Sequence, residues 1–186
     1  MVALPPLGWL SWRRAHQWQS GRVLYAADIK KNPDAFDLQN NLGVALFRDG
    51  QYEQAKRHFE RSIELAPDWW TNWNNLGGVL ELEGDLEGAE ASYLKAIDRG
   101  QYYLAYENYA KILLRQKKYQ QTIEFCEASL QLLPNNLSLW QVLILAYYRS
   151  GQVEQAKSIA LQLDQANPGL TMIQLLHDGN ESLGEN

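Results

Sequence analysis

Prolines 33, 67, 134 and 168 stand 34, 67 and 34 residues apart, and the residues between them recur in the same order. One copy of the series is Leu42-Gly43, Leu46, Gly50, Tyr52, Ala55, Phe59 and Pro67. The next is Leu76-Gly77, Leu80, Gly84, Leu86, Ala89 and Tyr93, with Gln101 where the proline is due. A third runs Tyr109-Ala110, Leu113, Lys117, Tyr119, Thr122, Cys126, Pro134, and a fourth Leu143-Ile144, Tyr147, Gly151, Val153, Ala156, Ala160, Pro168. The second copy is one residue short. A chain written this way folds as a stack of like units and offers an extended surface rather than one enclosed pocket.

Each recurring position has a physical reason. Leu42 and Leu46 fall on one helical stripe, and Phe59 with Ile63 on a stripe of the next helix, so each unit has apolar faces that its own two helices cannot cover. Neighbouring units must stack to bury them. Gly43, Gly77, Ala89 and Ala156 are small where helices approach closely, while Gly50, Gly84 and Gly151 sit where the chain reverses and a positive φ is favoured. Lys117 takes that place in the third copy, so its turn is either strained by about 1–2 kcal/mol or differently shaped. The prolines end each second helix.

These residues, four times in tandem over roughly 17–170, resemble the tetratricopeptide repeat, a helix-turn-helix of 34 residues. The resemblance implies an all-α, right-handed superhelical solenoid of stacked antiparallel helix pairs. The expected organisation is an aromatic N-terminal cap at 1–16, a degenerate half repeat at 17–35, full repeats at 36–69, 70–102, 103–136 and 137–170, then a short capping helix and disordered tail within 171–186. In the half repeat, Trp18, Tyr25 and Ile29 mark the inner stripe.

Composition fits a helical array. The chain has 186 residues, 46% of them apolar, with a net charge of −5. That balance speaks against a nucleic-acid partner, since the basic cluster of Arg13, Arg14, Arg22, Lys30 and Lys31 is too small to make an electrostatic stripe. Cys126 is single and sits at a packed repeat position, which makes it a small buried hydrophobe and points weakly to the cytosol. No segment approaches the roughly 20 apolar residues that span a bilayer. The apolar start, 1–12, carries Pro5-Pro6 and lacks the marks of a signal peptide. A cytoplasmic place is expected for the chain as it stands, and a membrane-tethered one if it is part of a larger protein.

Nothing in the sequence points to catalysis or to a cofactor. His16, His58 and His177 lack a carboxylate or cysteine at metal-ligand spacing, and neither a phosphate-cradling loop nor a nucleophile elbow is present. The acidic run Glu81, Glu83, Asp85, Glu87, Glu90 reads as a solvated turn and helix start rather than a metal site.

The concave face, which the family builds from the first helix of each unit, is where binding is expected. Counting from Phe36, Trp70, Tyr103 and Leu137, the sixth place holds Asn41, Asn75, Asn108 and Val142. In arrays of this family an asparagine there commonly grips the backbone of an extended peptide, and a carboxamide can pair with both a peptide N–H and a C=O. The same residues also suit helix-to-helix bonding or a solvated face. Neighbours that would read ligand side chains are Asp37, Asn40, Phe47, Arg48, Asn74, Lys111, Arg115, Tyr148 and Arg149. Arg48, Arg115 and Arg149 share one place in their units and would favour carboxylates. The family's clamp for a terminal carboxylate is not matched, because its lysine and asparagine places read Asn40 and Val44, then Asn74 and Gly78.

Seven tryptophans are many for this length. Trp73 and Trp140, at the fourth place, read as core. Trp9, Trp12 and Trp69 are candidate aromatic contacts, with N-terminal capping as the other use for Trp9 and Trp12. A narrower resemblance runs from Arg13 through Trp18, Ser20, Leu24-Tyr25 and Asn32-Pro33 into Asn40-Asn41-Leu42-Gly43. It looks like the junction after the last membrane helix of polytopic glycosyltransferases that carry a C-terminal array of these repeats. The expected function is therefore a non-enzymatic module that binds protein or peptide in its groove. The alternatives are an accessory domain positioning a polypeptide for a membrane glycosyltransferase, and a scaffold that assembles with copies of itself.

Overall fold

The computed structural model describes residues 21–100, 102–167, 169 and 171–177, so the expectations for Trp9, Trp12, Trp18, His16, the N-terminal cap and the tail lie outside them. Every regular element among the described residues is a helix. In chain order these are α1 (Gly21–Ile29), α2 (Phe36–Arg48), α3 (Tyr52–Leu65), α4 (Trp70–Glu83), α5 (Leu86–Arg99), α6 (Tyr103–Arg115), α7 (Tyr119–Leu132), α8 (Leu137–Arg149), α9 (Val153–Ala166) and α10 (Gln174–His177). From α1 to α9 each packs on the next, α10 packs on α8, and α2, α4, α6 and α8 also touch one another in series. These four form the inner row of a right-handed superhelical solenoid.

All four turns within the pairs share one geometry. Gln51, Asp85, Lys118 and Gln152 each donate a backbone N–H to the carbonyl five residues back, at 2.9–3.0 Å. The residue before each is left-handed: Gly50 at φ 74°, Gly84 at 82°, Gly151 at 87° and Lys117 at 61°. The third turn thus keeps the common shape, and Lys117 carries the strain.

The crossing of each pair is set by one matched couple of residues. A Cβ added at Gly43 would lie 2.6 Å from the Phe59 ring, and one at Gly77 would lie 2.6 Å from Tyr93. The same places hold Ala110 with Cys126 in the third pair and Ile144 with Ala160 in the fourth, all fully buried. As the inner helix gains bulk the outer one loses it, so the joint volume stays near what a close-packed interior allows.

Three of the four linkers are tied down by the fourth residue of the inner helix that follows. Gln39 Nε2 donates to the Pro33 carbonyl at 2.9 Å, Trp73 Nε1 to Pro67 at 2.7 Å and Trp140 Nε1 to Pro134 at 2.9 Å. Trp73 and Trp140 are accordingly half-buried, with the indole N–H at the rim, rather than wholly interior. Before α6 the linker is a residue shorter and has no proline. There Tyr102 packs on Trp70 with ring centroids 3.9 Å apart, and a side chain at Gly100 would meet that indole at 2.5 Å.

Buried apolar residues fall into two clusters that meet at α6. Ile112 joins Leu42, Phe59, Val79 and Tyr93, whereas Ala110 and Leu114 join Cys126, Leu139, Ile144 and Ala160. Met172 and Leu176 close the second cluster beside α8. The Asp164 carboxylate holds them there by accepting the backbone N–H of Met172 at 2.7 Å and of Ile173 at 3.0 Å. No helix among the described residues is long and apolar enough to cross a membrane.

Candidate functional site

The inner row brings the fifth and sixth places of successive units together. Asn75 Nδ2 donates to Asn40 Oδ1 at 2.8 Å, and Asn108 Nδ2 donates to Asn74 Oδ1 at 3.1 Å. Two equivalent rungs therefore cross two successive unit boundaries. Asn40 is buried, Asn74, Asn75 and Asn108 are half-buried, and Asn41 is exposed. A carboxamide has two N–H donors and an oxygen with two lone pairs. With one N–H committed to its rung, Asn75 and Asn108 each keep a donor and an acceptor. Asn75 and Asn108 thus make the helix-to-helix bonds that the sequence left open as one use of the sixth-place asparagines, and retain capacity beyond them.

The series ends at the third unit. Glu107 holds the fifth place there and accepts a hydrogen bond from Asn136 Nδ2 at 2.9 Å, with Lys111 Nζ 3.7 Å away. In the fourth unit Val142 and Leu145 are buried in the second cluster. Asn136 also caps α8, its Oδ1 accepting the Leu139 N–H at 3.0 Å.

The row of arginines does not present three like groups. Arg115 Nη1 donates to Glu81 Oε1 at 2.5 Å, and the other oxygen of Glu81 accepts the Tyr93 hydroxyl at 2.9 Å. Burial, with the Glu81 charge beside it, raises the Tyr93 pKa well above that of a free phenol. Arg48 is exposed, and Arg149 lines a shallow cleft beside the turns with Lys117, Lys118, Ser150 and Gln152. Phe47 packs edge-on against Tyr52 at 5.3 Å, and Tyr148 rests on the second cluster. Trp69 stands edge-on to Phe36 at 4.3 Å and is half-buried. Asp37 is exposed.

The acidic run forms the exposed turn and helix start its sequence suggests, and it also ties neighbouring units together. Besides Glu81, Glu83 pairs with Lys56 at 2.6 Å and Glu90 with Lys118 at 2.6 Å, both across unit boundaries, while Asp85 caps α5 through the Gly88 N–H at 2.9 Å. Partly exposed pairs of this kind contribute up to about 1 kcal/mol each. The signal for Arg115 with Glu81 is a separation of 34 residues, the repeat length, whereas the two lysine pairs stand 27 and 28 residues apart and off that period.

No group of three or more histidine, cysteine or acidic residues suited to a metal occurs among the described residues. Burial pushes the Cys126 thiol up to about 12, which keeps it protonated and unreactive at neutral pH. His58 Nδ1 lies 2.7 Å from Gln39 Oε1, and burial first, then the Arg57 charge, lowers its pKa.

Two sequence models described as tetratricopeptide repeat match residues 34–101 and 113–177. No curated protein matches the chain in sequence. Among solved structures, one of MamA has a TM-score of 0.73 at 15% identity, covering 97% of this chain and 100% of the other. MamA from Desulfovibrio magneticus RS-1, residues 41 to the end, gives 0.64 at 21%, covering 72% and 76%. YrrB, described as a TPR protein with an unusual peptide-binding site, gives 0.68 at 14%, covering 85% of each chain. At these identities the likeness is one of fold. With the repeat models together matching well over half of the chain and the backbone following solved arrays over most of its length, the chain belongs to the tetratricopeptide repeat family.

Proposed function

We propose that the chain is a non-catalytic module that binds a protein partner by holding an extended segment of it along the inner row, with Asn75 and Asn108 meeting the segment's backbone. The observation that carries this reading is the pair of rungs, Asn75 to Asn40 and Asn108 to Asn74. Each fixes one side of an amide and leaves a donor and an acceptor for a peptide unit, so the amides are oriented before a ligand arrives. Asn41 extends the series at the exposed end, and Lys111 and Phe47 flank it. The peptide-binding site described for YrrB is a further reason to look for a peptide ligand.

The test is capture of partners from source-cell lysate by the wild-type chain beside the Asn75→Ala/Asn108→Ala variant, after equal helicity has been checked. A protein held by the wild type and lost by the variant is the expected result. A partner held equally by both would refute the groove and move attention to Trp69 and the outer helices.

A further inference from the structure

In the middle of the inner row the charges answer one another. Arg115 stands where a guanidinium could clasp a ligand carboxylate, yet Glu81 from the preceding unit already occupies it at 2.5 Å. Glu81 is held in turn by the Tyr93 hydroxyl on its second oxygen. Tyr93 is itself fixed, fully buried against the bare backbone of Gly77. The other cation of this stretch, Lys111, lies beside Glu107, which Asn136 also engages. Between Asn74 and Arg115 each charge on the inner row thus has its counter-charge within the protein.

We propose that Glu81 is the specificity-determining residue of the groove: it holds Arg115 in place of a ligand carboxylate, so that the groove accepts an extended segment with no acidic side chain where it passes Arg115. This rests on the groove reading above. A ligand carboxylate that approached the remaining N–H groups of Arg115 would meet a cation whose charge Glu81 already balances. It would lie beside the Glu81 carboxylate, which Tyr93 holds in place through its other oxygen, and like charges at that range repel. The tethered group competes at a high effective concentration, whereas a ligand comes from dilute solution. Adjacent inner helices lie about 8–10 Å apart. Three units therefore span about 20 Å, or roughly six residues of extended chain. The partner segment is about six residues long, extended, and without aspartate or glutamate where it passes Arg115.

Selection from a random phage-displayed dodecapeptide library tests this on three proteins: wild type, Glu81→Gln and Asn75→Ala/Asn108→Ala. Glutamine still accepts from Tyr93 and frees the Arg115 charge. The wild type is expected to enrich peptides with an acid-free stretch, and Glu81→Gln to enrich peptides bearing a carboxylate. A synthetic acidic peptide from the second selection should bind Glu81→Gln at least tenfold more tightly than the wild type by fluorescence anisotropy, with the gap narrowing as salt rises. Enrichment of acidic peptides by the wild type would overturn the proposal, as would one consensus for wild type and Glu81→Gln, and in either case the groove reading would stand. If the wild type enriches nothing, or its peptides bind the asparagine variant undiminished, the groove reading falls and the proposal with it.

Discussion

Exchanging one pair of residues tests whether the matched couples set the crossing of each helix pair. Gly43→Ala alone gains about 1 kcal/mol of helix propensity. Its new methyl would lie 2.6 Å from the Phe59 ring, where carbon atoms rest at about 3.5–4.0 Å. The ring is 1% exposed and has nowhere to retreat without moving α3. Overpacking of this kind costs about 1–3 kcal/mol, so the net loss is up to about 2 kcal/mol. Phe59→Cys alone opens a cavity and costs about 3 kcal/mol. The double variant copies the third pair, Ala110 with Cys126, and there the methyl fills part of the space the ring vacates. It should be more stable than the sum of the two single changes by about 1–2 kcal/mol. Urea unfolding followed by circular dichroism, compared at a shared slope, measures the three differences. Additivity within about 0.5 kcal/mol would refute the reasoning, because it would mean that the residues do not share a volume.

Lys117→Gly should relieve the left-handed turn: the strain of about 1–2 kcal/mol, less the glycine's extra freedom when unfolded, leaves a gain of roughly 0.5–1 kcal/mol. A lower melting temperature would show that Lys117 is held by contacts worth more than its backbone costs. The His58 pKa lies below its ordinary 6.5 in the folded chain, so folding opposes its protonation. Its contribution is fully present above about pH 6.5 and is lost as pH falls through the lowered folded value. His58→Gln should flatten the stability profile just below pH 6.5, and an unchanged slope in that window would refute the assignment.

The 34-residue period made the helix pairs, their turns and the sixth-place asparagines legible, because all of these follow from spacing within one unit. What it did not reveal lies between units. Asn75 meets Asn40, 35 residues away, and Asn108 meets Asn74, 34 residues away, so the partners occupy neighbouring places that come level only when the stack forms. Arg115 looked like a free reader of carboxylates because Glu81, twelfth in its own unit, belongs by sequence to an acidic turn. The sequence treats Trp73 and Trp140 as core because it shows their size but not the Pro67 and Pro134 carbonyls that draw each indole N–H to the rim.

The rungs that would meet a ligand are also bonds that fasten one unit to the next. A hydrogen bond of 2.8–3.1 Å weakens steeply within about half an ångström of stretch. Pulling on the two ends of the array, or changing its pitch, would therefore open the grip before it unfolded a helix. On the proposed groove reading, the solenoid would then behave as a spring whose tension sets how firmly a segment is held along its inner row.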